Sequence, residues 1–234
     1  ALYTMKFIGA PFTFGFEQVG TNCGLIGKNA AVEIDGTAFW MSPNGLFMFD
    51  GTVKSLPCSV EDFVYDSADT TKGQQVYAGL NNQFTEVVWY YPSTGSDYND
   101  KYVVFNYGEP MKGGVWYIGT EARTSWIDGT VYPTPFATKF DDNASGTFPV
   151  IVGQSGLGQT TFFEHEVGTD QVNPNGTTTT VTSFVKSYDF DLQSRQRNAQ
   201  GRSTGPTIAG EVFLAVRRFV PDFKTLAGNA KVTL

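Results

Sequence analysis

Short apolar runs separated by turn dipeptides dominate the first part of the chain. Three such runs, AVEI, AFWM and LFMF, follow one another between residues 29 and 51. Asp35-Gly36 and Asn44-Gly45 separate them, and both dipeptides are preferred in two-residue hairpin turns. The spacing therefore predicts a meander of three short antiparallel strands. Because a meander has an apolar face to bury, we expect further units of the same kind beside it.

Further apolar runs of strand length come after this unit. In chain order they read VYAGL, EVVWYY, KYVVFNY, VWYIG and TFFEHEV. Nearly every position of EVVWYY is apolar or aromatic, which indicates a strand that is covered on both faces. Since side chains alternate along a strand, we expect Val87, Trp89 and Tyr91 on one face and Val88 and Tyr90 on the other.

One segment, residues 59–65, has a helical pattern. Ser59 followed by Asp62 resembles a capping box, and Val60, Phe63 and Val64 share one helical face. We predict a single short helix here.

The sequence as a whole predicts an all-β fold of β-propeller-like antiparallel meanders with one short helix. A β-sandwich is the alternative, because periodicity alone does not distinguish the two. We assign residues 1–192 to the body, with an insertion at about 133–160 and a second excursion at 169–180, where Pro, Gly and Thr interrupt the strands. Residues 193–210 are predicted to form a basic loop, and residues 211–234 C-terminal strands that close the body.

The composition favours strands and turns over helices. The chain has 234 residues with 26 Gly and 20 Phe, and only 17% of its residues are charged. No apolar run approaches the roughly 20 residues that cross a bilayer, and the start lacks a signal-peptide pattern, so we predict a soluble protein. The chain opens without Met inside an apparent strand, and we therefore expect it to be a fragment of a longer polypeptide.

Two cysteines, Cys23 and Cys58, are the only ones in the chain. They are too few for a disulfide-stapled scaffold, and neither belongs to a Cys-x-x-Cys motif. We predict two reduced, half-buried thiols, with a single bridge as the alternative.

Charge is distributed unevenly along the chain. Residues 1–185 hold 8 Lys and Arg against 19 Asp and Glu, a balance of −11, whereas residues 186–234 hold 8 against 4, a balance of +4. Arg195, Arg197 and Arg202 lie in a polar stretch, and Arg217-Arg218 lie within an apolar run. The arginines of the polar stretch indicate either contact with phosphate or an acidic subunit, or a solvated loop. A pI near 4.7 argues against a dedicated DNA-binding protein.

Residues 153–160, GQSGLGQT, have the glycine spacing of a phosphate-binding loop. Gln159 stands where that loop needs Lys, and the residues after it favour a strand rather than the helix whose N-terminus would hold the anion. We therefore predict no nucleotide site and no cofactor.

Glu164-His165-Glu166 contains the only histidine of the chain. In a strand the two glutamates point to one face and His165 to the other, so the three side chains do not converge on one metal ion. We predict a packed or hydrogen-bonded histidine. No Gly-x-Ser-x-Gly elbow supports a catalytic triad around it.

Six acidic residues near turns are the candidates for a glycosidase-like carboxylate pair. They are Asp97, Asp100, Glu109, Asp128, Asp141 and Asp142. Asp side chains in turns commonly accept hydrogen bonds from local backbone amides, which accounts for these positions without catalysis. We predict that the protein is not an enzyme and has no catalytic, cofactor or metal residues.

Several long segments resemble a family of tailed-phage virion proteins. They are FEQVGTNCGLIGKNAAVEIDGTAFWMSPNGLFMFDG, LPCSVEDFV, VYAGLNNQFTEVVWYYPS, YVVFNY, VWYIGTEARTSWIDG, FFEHEVG and RRFVPDF. The resemblance is to the tail nozzle or hub of short-tailed phages, also called tail tubular protein B. It implies a β-propeller-based subunit of a homo-oligomeric ring, typically six-fold, through which the genome passes.

The same resemblance implies a virion location, in the tail, with assembly in the host cytoplasm and contact with other tail proteins such as the adaptor and fibres. Double-stranded DNA would pass transiently, without sequence-specific binding. An acidic lumen would repel the phosphate backbone, so that DNA slides without sticking, while the basic C-terminal segment pairs with an acidic neighbouring subunit.

Two other functions fit an acidic, aromatic, all-β chain. A host-surface or carbohydrate-binding virion module would expose Trp or Tyr along a groove, for which Trp89, Trp116 and Trp126 are candidates. A depolymerase would show paired carboxylates in a cleft. We expect the tryptophans to pack in the core instead, since each lies in a strand pattern.

Overall fold

Antiparallel strands dominate the computed structural model of this chain, and the all-β prediction is confirmed. The chain divides into two compact units, residues 1–181 and 182–234. The structure describes residues 1–108, 115–128, 132–141, 159–168, 170–172 and 177–180, all in the first unit. The predicted basic loop, the C-terminal strands and their five arginines lie outside the described residues.

The described elements have these bounds. The strands are β1 (Leu2–Phe7), β2 (Phe14–Gly20), β3 (Ala31–Ile34), β4 (Thr37–Ser42), β5 (Gly45–Phe49), β6 (Val53–Ser55), β7 (Tyr77–Asn81), β8 (Glu86–Tyr91), β9 (Lys101–Asn106), β10 (Val115–Thr120), β11 (Ser125–Ile127), β12 (Phe136–Asp141), β13 (Gln159–Glu164), β14 (Asp170–Val172) and β15 (Thr178–Thr180). The helices are α1 (Glu61–Ser67) and a 3₁₀ helix (Thr70–Gln75).

The first sheet contains the meander that the turn dipeptides predict. Its strand order is β3-β4-β5-β6, with every neighbouring pair antiparallel. At the first turn, Asp35 has φ 50° and Gly36 has φ 79°, as a hairpin turn with two left-handed residues requires. The prediction of antiparallel strands over residues 29–51 is confirmed, and β6 adds a fourth strand.

The second sheet has the order β7-β8-β9-β10 and buries its central strands on both faces. Residues 87–91 of β8 are all buried, with Val87 and Trp89 at 0% exposure. Val87 and Trp89 pack in the same core as the first sheet, whereas Val88 and Tyr90 pack in a second cluster. The alternation expected for this strand is therefore confirmed.

The third described sheet, β11-β12-β13, packs on the far side of the second. The first strands of the three sheets are neighbours, because β3 contacts β7 and β7 contacts β11. A hydrogen bond from Ala78 N to Asn29 O, 2.7 Å long, joins the first two sheets at this line. Three consecutive antiparallel sheets are thus stacked face to face with their first strands side by side.

Two short ribbons lie outside these three sheets. Strands β1 and β2 form one antiparallel ribbon, and β14 and β15 form another. The second ribbon falls in the stretch predicted to be an excursion at residues 169–180. Strand β1 agrees with the expectation that the chain opens in a strand.

The helical prediction was right in place but wrong in detail. Helix α1 begins at Glu61 with Val60 as its N-cap, and no side chain caps it, so the capping box of Ser59 and Asp62 does not form. Val64 is fully buried, whereas Phe63 is 51% exposed. The 3₁₀ helix after it was missed, because its sequence TTKGQQ has no apolar periodicity.

Part of the predicted insertion at residues 133–160 is regular structure. Residues Phe136–Asp141 form β12, the central strand of the third sheet, and β13 begins at Gln159. Strand β12 pairs with β11 on one side and β13 on the other, which its Pro-rich flank did not indicate. The remaining residues of the stretch, 142–158, lie outside the described residues, as does the glycine run of the phosphate-loop spacing.

Both cysteines are free, which confirms the prediction of reduced thiols. Cys23 is buried and Cys58 is half-buried. Burial raises the pKa of the Cys58 thiol to about 11, so it stays protonated and weakly nucleophilic at neutral pH.

Candidate functional site

Three of the four tryptophans join neighbouring parts of the structure, whereas Trp40 lines a pocket beside the start of β1. Trp89, Trp116 and Trp126 are 0%, 9% and 8% exposed, and the prediction of core packing is confirmed. The indole N–H of Trp89 donates to Ala30 O at 3.1 Å, and that of Trp126 donates to Leu80 O at 2.7 Å. The first bond joins the second sheet to the residue directly before β3, and the second bond joins the third sheet to β7 of the second sheet. A carbohydrate groove would therefore need other aromatic residues.

A buried arginine is the centre of a polar network between the second and third sheets. Arg123 is 7% exposed. Its Nε donates to His165 Nε2 at 2.8 Å, its Nη2 to Glu121 Oε1 at 2.6 Å and its Nη1 to Ala122 O at 2.8 Å. The guanidinium also lies 4.0 Å from the centre of the Phe163 ring, in a cation–π arrangement.

His165 is held as a neutral hydrogen-bond acceptor. Its ring lies 4.7 Å from the Trp126 ring, and its backbone N–H donates to Pro135 O at 2.8 Å. Because Nε2 accepts from Arg123, the lone pair that a general base would use is already occupied. The prediction of a hydrogen-bonded histidine is confirmed.

The strand geometry predicted for residues 164–166 was wrong. Strand β13 ends at Glu164, and Glu166 has a left-handed φ of 61°. The three side chains nevertheless have separate partners. Glu164 Oε1 accepts from Thr134 Oγ1 at 2.7 Å, and Glu166 Oε1 accepts from Asn81 Nδ2 at 3.0 Å. Within the described residues, no group of three or more His, Cys, Asp or Glu side chains is placed to hold a metal ion.

The His165 environment predicts acid sensitivity. Burial, and secondly the charge of Arg123, lower the pKa of His165 from 6.5 to about 4. The unfolded chain therefore binds this proton at higher pH than the folded chain, and stability falls as the pH drops from about 6.5 through about 4. We expect His165 to account for a loss of about 2 kcal/mol between pH 7 and pH 4.5, measured by urea unfolding.

The control for this pH effect is His165→Gln, which keeps a hydrogen-bond acceptor but does not titrate. Between pH 7 and pH 4.5, the free energy of unfolding of this variant should fall by about 2 kcal/mol less than that of the wild-type chain. Identical pH slopes for the two proteins would contradict the prediction.

A cleft of about 550 Å³ adjoins this network. It lies between the turn after β7 and three segments at the strand ends of the third sheet, which follow β11, precede β12 and follow β13. Its lining includes Asn81, Asn82, Asp128, Thr134 and Glu166. Asn82 Nδ2 donates to Asp128 Oδ2. Asn81 is 5% exposed, and its Oδ1 has no hydrogen-bond partner in the described structure. Six of its eight lining residues have polar or acidic side chains, and the other two are Pro133 and Pro135.

Three carboxylates near the cleft are close enough to interact. Burial raises the pKa of Glu86, and the charge of Glu166 raises it further, while a hydrogen bond from Tyr117 opposes the shift. Burial also raises the pKa of Glu121, although Arg123 opposes that shift. The cluster concentrates negative charge between the second and third sheets.

Sequence reasoning missed this cluster and looked for carboxylates at turns. Asp100 accepts from the backbone N–H of Ser93 at 2.7 Å, as turn chemistry predicts, and Asp97 pairs with Lys72 at 3.1 Å. Glu109 and Asp142 lie outside the described residues. The available signal was the phase of Glu86, which is two residues before Val88 and therefore shares the face that packs on the third sheet.

Among the described residues, exposed large apolar side chains are concentrated on the ribbon of β1 and β2. Tyr3, Met5, Phe7, Phe14 and Phe16 are each between 51% and 74% exposed. Sequence reasoning expected a strand at this position but did not identify it as a surface. The signal was the alternation of large apolar residues with other residue types in YTMKF and FGFE.

Neither a model of a known protein family nor a curated protein sequence matches this chain. Among the described residues, no helix has the length and apolar content that crossing a bilayer requires.

Proposed function

We propose that this chain is a structural subunit of a phage tail, in the nozzle or hub ring that forms part of the DNA ejection conduit. The proposal joins the sequence resemblance to one structural observation, the stacking of consecutive antiparallel sheets with their first strands side by side. Propellers are built from four-stranded antiparallel blades arranged around an axis, and the first two described sheets have that strand number and order.

The interior of the stack suits a mechanical role. Phe39 of the first sheet lies 5.7 Å from Phe105 of the second and 6.4 Å from Tyr107, which directly follows β9, both measured between ring centres. Aromatic pairs of this kind contribute about 0.5–1.5 kcal/mol each beyond area burial. Together with the indole hydrogen bonds between sheets, they oppose sliding of one sheet over the next.

The acidic balance of residues 1–185 supports passage of DNA without binding. A surface with a balance of −11 repels the phosphate backbone over about one Debye length, which is about 8 Å at physiological salt. In this proposal the ring is homo-oligomeric and six-fold, lies in the virion tail, and contacts the adaptor and fibres. The basic segment of residues 193–210 pairs with an acidic neighbouring subunit.

Electron microscopy of the purified chain, or of the particle that carries it, tests this function. We expect a rotationally symmetric ring on the tail axis, with Asp and Glu facing the lumen. A ring whose lumen is lined by Arg195, Arg197 and Arg202, with the acidic residues outside, would contradict the sliding account. Particles without rotational symmetry would contradict the ring itself.

A further inference from the structure

The ribbon of β1 and β2 separates apolar from polar side chains by face. The register pairs Met5 with Phe16 and Phe7 with Phe14, and paired residues of an antiparallel ribbon share a face. Tyr3 is in phase with Met5 and Phe7, and it pairs with the uncharged Gln18, whose Oε1 accepts a 3.1 Å hydrogen bond from the Tyr3 hydroxyl. We call the apolar side chains of this face, those of Tyr3, Met5, Phe7, Phe14 and Phe16, the apolar ribbon face. Lys6 and Glu17 lie on the opposite face and form a 3.1 Å ion pair.

Within one chain the described residues leave most of this apolar face uncovered, and only its Tyr3 end lies beside the first sheet, where Tyr3 lines a pocket with Trp40 and Phe49. Phe7 is 74% exposed and Phe16 is 72% exposed, and the only described ring contact on the face is between Phe7 and Phe14. Among the described strands, β1 and β2 pair only with each other. A two-stranded ribbon is marginally stable in water by itself, so covering this face would stabilise it substantially.

The exposed area reaches the size of a protein interface. Aromatic side chains carry about 150–250 Å² each, so the five residues, at half to three-quarters exposure, present on the order of 600 Å². Phe12, which is 71% exposed at the tip of the ribbon, raises this to on the order of 700 Å². Ile8 is 57% exposed but lies beside Gly15 on the opposite face, so it does not add to this area. The largest apolar patch on a typical monomer is about 300–600 Å².

We propose that the apolar ribbon face is a self-association surface, covered by a second copy of this chain. A standard interface buries about 800 Å² on each partner, and the apolar ribbon face supplies most of that area. The face has no charged residue that would select a nucleic acid. The chain as a whole carries a net charge of −7, which repels it from anionic lipid, and the one cation of the ribbon strands is paired with Glu17. The inference does not require a tail ring, since any symmetric assembly that covers this face satisfies it.

Two matched double variants of the full chain test this surface. Phe7→Gln/Phe16→Gln changes the apolar face, and Lys6→Gln/Glu17→Gln changes the neighbouring residues on the opposite face. Both leave the net charge unchanged. We expect the wild-type chain to associate in sedimentation velocity. The apolar-face variant should raise the dissociation constant at least about a hundredfold, and the polar-face variant less than about threefold.

Several outcomes would overturn the proposal. The wild-type chain could be monomeric at all concentrations, with the ribbon protected by residues 182–234 of the same chain. That result would show that the apolar ribbon face makes an intramolecular contact and not a contact with a second copy. An equal rise of the dissociation constant in both double variants would show that self-association does not depend on the apolar ribbon face. Binding of the monomer to neutral phospholipid vesicles, lost in the apolar-face variant, would identify a lipid surface as the cover.

Hydrogen exchange of the wild-type chain decides the question even if the apolar-face variant fails to fold. The amides of β1 and β2 should become more protected as protein concentration rises about a hundredfold, whereas those of β8 should not change. Exchange of β1 and β2 that is independent of concentration would overturn the proposal.

Discussion

Trp89→Ala should lower the free energy of unfolding by about 3–5 kcal/mol. Trp89 has no exposed surface, and it fills the space between the first two sheets, where it stacks on Trp116. The substitution also leaves the buried carbonyl of Ala30 without the 3.1 Å hydrogen bond from the indole. Urea unfolding followed by fluorescence and circular dichroism measures the loss.

Phe84→Ala is the matched control for this core substitution. Phe84 lies in the turn between β7 and β8 and is 44% exposed, so its removal should cost less than about 1 kcal/mol. A loss below about 1 kcal/mol for Trp89→Ala as well would show that the contact between the first two sheets does not stabilise the fold.

Gly79→Ala should lower the free energy of unfolding by about 3 kcal/mol, at the upper end of the cost of overpacking. A Cβ at Gly79 would lie within 3.0 Å of three atoms of the Trp126 side chain. The indole cannot move away easily, because it donates to Leu80 O at 2.7 Å and packs on His165. The second and third sheets would have to separate to accept one methyl group.

Gly24→Ala makes the same chemical change where space is available. The nearest atom to a Cβ at Gly24 is Ala1 N at 3.9 Å, an ordinary van der Waals distance. This variant should be as stable as the wild-type chain, within about 0.5 kcal/mol. Equal stabilities of the Gly79 and Gly24 variants in urea would show that the second and third sheets are not closely packed at Gly79.

The strands of the first two sheets could be predicted because their pattern is local. Asp35-Gly36 forms a two-residue hairpin turn through left-handed backbone conformations that few other residues adopt. The second turn consists of Pro43-Asn44 and is followed by Gly45 at φ 128°, one residue earlier than the dipeptide Asn44-Gly45 predicts. Apolar runs of strand length lie between such turns. The doubly covered strand β8 was predictable for a similar reason, since only a strand without a solvent face carries five consecutive apolar or aromatic residues such as VVWYY.

The polar network between the second and third sheets could not be predicted from spacing. Arg123 and His165 are 42 positions apart, and only the packing of β13 beside β12 brings His165 to the guanidinium. Strand β12 was not predicted either, because the prolines at 133 and 135 indicate a corner of the chain and give no sign that a strand begins directly after it. The raised pKa of Glu86 also depends on burial that its neighbours in sequence do not provide.

The sequence by itself determined the β class, the hairpin turns, the core role of the tryptophans and the acidic balance, because each depends on residue type or on alternation over a few positions. Only the tertiary structure decided which sheets face each other, which carboxylates meet Arg123 and which apolar side chains stay exposed. Phe16 and Phe39 have the same side chain in similar strand patterns, yet one is 72% and the other 5% exposed. The physical reason is that burial is a property of the surface packed against a residue, and distant parts of the chain, or a second copy of it, supply that surface.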